Sequence, residues 1–195
     1  MKNLIYCLTL LVTFISSAQI HNYEFDVLHN GKSLGALQAS KKIENAKITY
    51  TSSTNIAYHL LVSINVVYDY HVEYYNSDLK IAMAHVVVGD NDKTKVKTIK
   101  EDNGYNYYSK GILEKTIPQP LNHSIIQLLF EEPVNITEVY AEGYGEYHDI
   151  QKIGTNSYLK TAPNGHKSTY YYENGALQKS DVDAGVIKFS IVRKN

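Results

Sequence analysis

The sequence predicts a mainly β protein, built as an antiparallel meander that carries one short buried helix. Three observations lead to this fold class. Apolar and polar residues alternate over several long stretches, which is the period of a strand with one buried face. The dipeptide Asn-Gly, the strongest short-range signal for a hairpin, occurs four times. Tyrosine, which favours sheets, occurs 18 times in the 195 residues.

The N-terminal segment has the form of a secretory signal peptide. A basic residue at Lys2 precedes an apolar run over residues 4–15, and small residues follow up to Ala18. The run is shorter than the ~20 residues that span a bilayer, so a retained membrane anchor is the weaker alternative. We therefore predict a signal peptide over residues 1–18 and a single β-rich domain over residues 19–195. This domain is expected to be periplasmic or secreted, monomeric and without a transmembrane segment.

The composition excludes several classes of function. The only cysteine, Cys7, lies in the predicted signal peptide, so the mature chain has no disulfide and no cysteine-ligated metal. Lys and Arg total 19 against 20 for Asp and Glu, and Arg193 is the only arginine. Nucleic-acid binding needs a basic patch and favours arginine, so no nucleic-acid partner is expected. No phosphate-binding loop or zinc-protease motif is present, and we predict no cofactor and no metal.

The first strands are predicted as a run of hairpins. Residues 23–28 alternate and lead into Asn30-Gly31, whose two residues tolerate the positive φ angles of a tight turn. Residues 33–41 then form the return strand, and residues 47–55 a third strand.

The longest predicted strand covers residues 60–75, and the rest of the sheet is expected to assemble around it. At ~3.3 Å per residue this segment is far longer than an ordinary strand. Its odd-numbered residues are largely polar, whereas its even-numbered residues are apolar. The apolar face consists of Val62, Ile64, Val66, Tyr68, Tyr70, Val72 and Tyr74.

The next strand is predicted over residues 79–88, and shorter ones over residues 96–100, 105–108 and 112–116. Strict alternation in the first of these strands predicts one shared face. That face consists of Leu79, Ile81, Met83, His85 and Val87.

One helix is predicted after the loop Ile117-Pro118-Gln119-Pro120. Ser124 and Gln127 have the spacing of a capping box, and Pro133 ends the segment. The residues between them are nearly all apolar, so a surface position is excluded. We expect the helix to plug one face or mouth of the sheet, since burying each large apolar side chain contributes ~1.5–3 kcal/mol.

The last third of the chain returns to strands. One long strand is predicted over residues 138–150, where Gly143 and Gly145 on one face indicate a bend or a close approach by another element. Further strands are predicted over residues 158–162, 167–172, 176–182 and 186–192.

An aromatic stripe on the long strand is the main candidate for a binding site. Tyr68, Tyr70 and Tyr74, together with Phe130 of the helix, have two interpretations. They form either the packed core face beneath the helix or the wall of a concave cavity that takes an apolar ligand.

Two polar clusters are weaker candidates. Asp69, His71 and Glu73 share a face at the spacing of a metal site, but a half-exposed strand needs a polar face in any case. His148-Asp149, near Glu142 and Glu146, has the residue types of acid–base chemistry. No nucleophile elbow or comparable motif accompanies either cluster, so we predict no catalytic residues.

Several short segments, taken together, resemble an uncharacterised family of exported bacterial domains of unknown function. They are Asn30-Gly31-Lys32 with Gly35, LLFEEP (128–133), EVYAEGYGEY (138–147), YLKTAPNG (158–165) and STYYYENG (168–175). More distantly, the chain is similar to the half-barrel periplasmic carriers LolA and LolB. The resemblance implies an incurved antiparallel sheet, a half-barrel or open barrel, around a short helix in the cell envelope.

The function predicted from these observations is a non-enzymatic binding module for an apolar or lipid-like ligand. The alternative is a structural or protein-interaction module of the envelope, with an envelope protein as its partner. A hydrolase that uses His71 or His148 is the third hypothesis, and it requires both side chains to converge in one cleft.

Overall fold

The computed structural model describes residues 18–59, 63–183 and 188–194. The predicted signal peptide, apart from Ala18, lies outside the described residues. The same holds for residues 60–62 of the long strand and for residues 186–187 of the last one. Among the described residues, no helix has the length and apolar content needed to cross a bilayer.

Fourteen strands in the described part of the chain form one antiparallel sheet. The first meander contains β1 (Gln19–His29), β2 (Lys32–Glu44), β3 (Lys47–His59), β4 (Ser63–Tyr75), β5 (Asp78–Val88), β6 (Asn91–Glu101), β7 (Gly104–Ser109) and β8 (Ile112–Ile117). The second contains β9 (Glu138–Ala141), β10 (Glu146–Gly154), β11 (Ser157–Thr161), β12 (Lys167–Glu173), β13 (Ala176–Asp183) and β14 (Lys188–Arg193). The predicted mainly β, antiparallel fold is therefore confirmed.

The two meanders are joined by the first and last strands of the domain. β1 pairs with β14 in antiparallel register, with Phe25 opposite Arg193 and Leu28 opposite Ser190. As a result β8 and β9 lie at the two edges of the sheet, although they follow each other in the chain.

The sheet curls until its two ends meet. Thr98 of β6 and Tyr140 of β9 are both fully buried, and their hydroxyls form a hydrogen bond of 2.7 Å. Tyr107 of β7 donates a hydrogen bond of 3.3 Å to the carbonyl of Gly143, just beyond β9. Because these strands lie near opposite edges, the sheet is an open barrel, as the resemblance implied.

The segment between β8 and β9 enters the interior of this barrel with its middle part, from Leu121 to Phe130, whereas residues near its two ends are exposed. It contains a 3₁₀ helix, Ile125–Leu129, whose buried residues are Ile126, Leu128 and Leu129. The Gln127 side chain accepts a hydrogen bond of 2.7 Å from the Ser124 backbone N–H, as in a capping box. The predicted short buried helix is confirmed, as a tight 3₁₀ turn.

Phe130, directly after the helix, anchors the segment to the first meander. Its ring is 5% exposed and stacks on Tyr23 with centroids 5.4 Å apart. A second contact, also at 5.4 Å, joins it to the Tyr50 ring. Aromatic pairs at such distances stabilise a core beyond their buried area.

The predicted inner face of the long strand is correct from Val66 onward, whereas the side chains of Val62 and Ile64 lie outside what the structure describes. Val72 and Tyr74 are buried at 0% and 2% exposure, whereas Asp69 and Tyr75 are exposed. β4 pairs with β3 and with β5 along its length.

The predicted face of the next strand is wrong beyond its first residue. Leu79 points inward, but β5 contains a bulge, because Tyr74 lies opposite Leu79 while Glu73 lies opposite Ile81. The extra residue reverses the alternation, since a shift of one position exchanges the two faces of a strand. The inward residues are therefore Ala82, Ala84 and Val86, and Met83 is 37% exposed.

The predicted continuous strand over residues 138–150 is also wrong. β9 ends at Ala141 and β10 begins at Glu146, and a tight turn joins them. The bend indicated by the two glycines is present. Gly145 has a φ of +66°, which explains why alternation alone does not continue the strand here.

Replacing Phe130 by alanine tests the packing of the interior segment. We expect Phe130→Ala to lower the free energy of unfolding by about 3–5 kcal/mol, because a buried aromatic ring and its two partners lose their contacts. Urea denaturation provides the measurement. Ile112→Ala is the control, since Ile112 is 70% exposed on the edge strand and should change stability by less than about 0.5 kcal/mol. Equal effects of the two substitutions would contradict this packing.

Candidate functional site

A cavity of about 420 Å³ remains inside the barrel, between the interior segment and the sheet. It lies within the roughly 300–1,000 Å³ range of small-molecule pockets. One side is mainly apolar and is formed by β2, β3, the 3₁₀ helix and β14, with Ser52 and Thr54 of β3 as its buried polar residues. The apolar side chains there are Leu37, Ile56, Ile125, Leu129, Phe189 and Ile191.

The opening of the cavity is lined by exposed polar side chains. Tyr144 is 63% exposed, and Asn164 and His166 are also exposed. The ring centroids of Tyr144 and His148 are 5.9 Å apart, so the exposed Tyr144 lies next to a buried histidine.

The four residues of the predicted aromatic stripe separate into two places. Tyr68 and Tyr70 line the cavity and are half-buried. Tyr74 and Phe130 lie in the packed core, where both rings contact Tyr50. The structure thus brings two of these side chains to the cavity and uses the other two for packing.

The opposite side of the cavity is polar and comes from β10, β11, β12 and the turn before β10. Four buried polar side chains face the cavity here, each at most 9% exposed. They are Glu142, His148, Lys160 and Ser168.

Glu142 connects this polar side to the 3₁₀ helix. Its carboxylate accepts a hydrogen bond of 3.0 Å from the backbone N–H of Ile126. The side chain is 2% exposed, and burial raises its pKa from 4.5 to about 6, against the opposing effect of the backbone N–H groups.

Lys160 and His148 form a buried pair beside Glu142. Lys160 Nζ donates to His148 Nδ1 over 3.1 Å, so the neutral imidazole carries its proton on Nε2. Burial lowers the pKa of Lys160, and burial together with the Lys160 charge lowers the pKa of His148. Burial thus disfavours the charged form of both side chains in this hydrogen-bonded pair.

The second ring nitrogen of His148 has no hydrogen-bond partner within the described residues. His148 Nε2 lies 3.4 Å from a Glu146 carboxylate oxygen, but the geometry is not that of a hydrogen bond. A buried N–H without a well-formed hydrogen bond is costly in free energy.

Sequence reasoning missed Lys160 and Ser168, although a signal was present. Lys160 lies between Tyr158 and Ala162 on the apolar face of an alternating strand. Charged side chains are seldom buried unless they are paired, so a lysine at such a position marks an interior polar site.

His148 and Asp149, the weaker candidates for acid–base chemistry, do not lie on the same side of the sheet. Asp149 is exposed on the outer face of β10, whereas His148 points inward, because neighbouring residues of a strand face opposite sides. His71 lies on the outer face as well, so His71 and His148 do not converge in one cleft. The hydrolase hypothesis requires these two histidines to lie in one cleft, and the structure does not bring them together.

The Asp69, His71 and Glu73 positions lie on the outer face of β4. Glu73 is paired with His71 at 3.1 Å and with Lys47 at 2.9 Å, and the Lys47 contact lowers the pKa of Glu73. Within the described residues, no three His, Cys, Asp or Glu side chains are grouped as metal ligands.

The turn that carries Glu142 has no space for a Cβ atom at Gly145 unless the Tyr107 ring moves. A Cβ atom there would lie 2.5 Å from the Tyr107 ring, and φ is +66°. Gly31 has a similar φ of +75°, but nothing lies within 4 Å. We expect Gly31→Ala to cost about 1–2 kcal/mol from the backbone alone. Gly145→Ala should cost about 1–3 kcal/mol more, because the ring must move.

Thermal or urea denaturation of the two alanine variants, beside the parent protein, measures this difference. If Gly145→Ala were as well tolerated as Gly31→Ala, the close approach of Tyr107 to this turn would be incorrect.

The raised pKa of Glu142 predicts how stability depends on pH. Because the folded state holds this proton more tightly than the unfolded state, Glu142 contributes stability that is complete below pH 4.5. That contribution, about 2 kcal/mol, is lost as the pH rises through about 6.

Glu142→Gln should remove this loss, so its stability relative to the parent should rise by about 2 kcal/mol across the same interval. Urea titrations at several pH values measure the change. Glu138→Gln, at an exposed position of β9, should show no such rise. If the stability of both variants showed the same pH dependence relative to the parent, the Glu142 carboxyl would be exposed to water and not buried.

Comparisons with known proteins agree with this architecture. The fold is similar to the crystal structure of a beta-barrel-like protein of domain of unknown function DUF1849 from Brucella abortus, with a TM-score of 0.62. That likeness covers 90% of this chain and 96% of the other, at 9% sequence identity, so it shows the fold alone. No curated protein matches the chain.

A family described as Domain of unknown function (DUF6134) matches residues 25–194. This range extends from β1 to the end of β14 and contains the interior segment and every residue of the cavity. The chain therefore belongs to the DUF6134 family.

Proposed function

We propose that the protein is a non-enzymatic binding module that holds an apolar or lipid-like ligand inside the open barrel. The observation that carries this proposal is the cavity of about 420 Å³ with an apolar wall on one side. When a hydrocarbon chain replaces water against this wall, the burial of apolar surface favours binding by about 25 cal/mol per Å².

The interior segment supports this assignment. Leu128 and Phe130 fill their part of the barrel almost completely, at 2% and 5% exposure. Ile125 and Leu129 of the same segment instead border the cavity. The segment thus fills one part of the barrel interior and forms one wall of the cavity in the other part.

The proposed place of action is the cell envelope. The support for export is the pattern of Lys2, the apolar run over residues 4–15 and the small residues up to Ala18. The resemblance to the half-barrel carriers LolA and LolB that we infer from the sequence is an analogy of fold, and it is consistent with a role in holding lipid-like molecules.

The sheet edge favours a second candidate function, which is protein interaction. β8 is an edge strand, and its residues Ile112 and Leu113 are 70% and 50% exposed. An extended segment of an envelope protein would add to such an edge through backbone hydrogen bonds. In-cell crosslinking from β8 to a discrete partner would support this function, whereas a missing partner band would count against it.

Native mass spectrometry of protein purified from its own envelope tests the proposed binding function. A retained small molecule that is released on unfolding is the expected result. An empty protein would count heavily against a carrier of tightly held lipid.

Filling the cavity gives a second test in purified protein. Thr54 lines the cavity and is 7% exposed, whereas its neighbour Asn55 is exposed on the outer face. Thr54→Phe should weaken binding of the neutral fluorescent probe N-phenyl-1-naphthylamine at least about tenfold, because the new ring occupies the apolar volume.

Asn55→Phe is the matched control and should bind the probe like the parent protein. Urea denaturation of both variants checks that each is folded. Equal binding by the two variants would show that the probe lies outside the cavity.

A further inference from the structure

The buried polar cluster inside the cavity determines which ligand chemistry the site accepts. Lys160 lies directly opposite Ser168 in the pairing of β11 with β12, and both side chains face inward. Lys160 Nζ has one hydrogen-bond acceptor among the described residues, His148 Nδ1 at 3.1 Å. An ammonium group has three donors, so the protein itself satisfies only part of this buried group.

His148 adds a second donor to the cluster. The residue is 3% exposed, and its Nε2 has no hydrogen-bond partner within the described residues. Since Nδ1 accepts from Lys160, Nε2 is the protonated nitrogen of the neutral ring. Lys160 thus keeps donor capacity beyond its one bond to His148, and His148 Nε2 has no well-aligned acceptor, so an oxygen atom of a ligand fits that role.

The charges around the cluster decide between a charged and a neutral oxygen. Glu142 interacts electrostatically with Lys160 and balances its charge. Glu146 lies 3.4 Å from His148 Nε2, and Asp183 also borders the cavity. With these carboxylates already in place, a carboxylate or phosphate on the ligand would be repelled, because like charges interact strongly at low dielectric.

We propose that the cavity recognises a neutral acyl carbonyl, such as that of a fatty acyl ester, through a hydrogen bond from Lys160. The hydrocarbon chain of the ligand lies along the apolar wall of Ile125, Leu129 and Phe189. This inference rests on the proposed binding function and specifies its ligand class: a lipid with an uncharged ester or amide group, not a free fatty acid.

Three compounds with the same hydrocarbon chain separate these possibilities. Methyl laurate has a neutral carbonyl, dodecyl methyl ether has none, and laurate is anionic. Their affinities are measured by displacement of N-phenyl-1-naphthylamine at a pH at which laurate is ionised. Methyl laurate should bind about tenfold more tightly than the ether, since a hydrogen bond from a charged donor is present only in the ester complex. Laurate should bind more weakly than methyl laurate.

Lys160→Met tests the assigned donor. The methionine side chain has a similar length and no charge, so the preference for the ester over the ether should shrink to within about twofold. Lys167→Met is the matched control, because Lys167 is exposed at the start of β12, and it should keep the full preference.

The outcomes distinguish this inference from the proposed function. If none of the compounds displaces the probe and the probe itself does not bind, both are overturned. If the ester and the ether bind equally to the parent protein, the binding function stands and the carbonyl assignment fails. Tighter binding of laurate than of methyl laurate would overturn the neutral ligand class. An ester preference that survives in Lys160→Met would exclude Lys160 as the donor.

Discussion

The interior of a curled sheet has to be filled, and this constraint governs the whole structure. About eight strands enclose a space that their own inward side chains fill, and larger barrels enclose more. Fourteen strands in the described part of this chain belong to one sheet, whose ends meet at the hydrogen bond between Thr98 and Tyr140. The segment between β8 and β9 places Leu121, Ile126, Leu128, Leu129 and Phe130 in the interior, where they add to the apolar side chains of the strands. The chain thus both closes the sheet and fills it.

The interior is not completely filled on one side, where a cavity with buried polar side chains replaces the packed apolar core. Phe130 packs between Tyr23 and Tyr50, whereas Ile125 and Leu129 border open volume. The polar groups across that volume are individually costly to bury. They remain because they stabilise one another. Glu142 accepts from the backbone of the helix, Lys160 donates to His148, and the charges of Glu142 and Lys160 compensate. His148 Nε2 is the exception, because it has no hydrogen-bond partner within the described residues, although a Glu146 carboxylate oxygen lies 3.4 Å away.

Much of the fold was predictable from short segments. The hairpins at Asn30-Gly31 and Asn174-Gly175 form with positive φ at all four residues. The capping box at Ser124 correctly predicted the start of the helix. The predicted membership of a family of unknown function is also confirmed. The candidate site was predictable in part, because Tyr68 and Tyr70 reach the cavity and Lys160 was overlooked. Alternation shows that a side chain faces inward, but it does not show whether the inside is packed or open.

The sequence by itself determined most of the strands, the tight turns, the short helix and the inner face of the long strand, but not the break between β9 and β10. Each of these depends on residues within a few positions of one another, so the pattern carries the information. The tertiary structure alone decided that β1 pairs with β14, where Phe25 lies opposite Arg193, and that a bulge reverses the faces of β5. It also decided which inward tyrosines line the cavity and which lie in the core. These features depend on contacts between distant segments and on the closure of the sheet, and no local pattern of side chains specifies them.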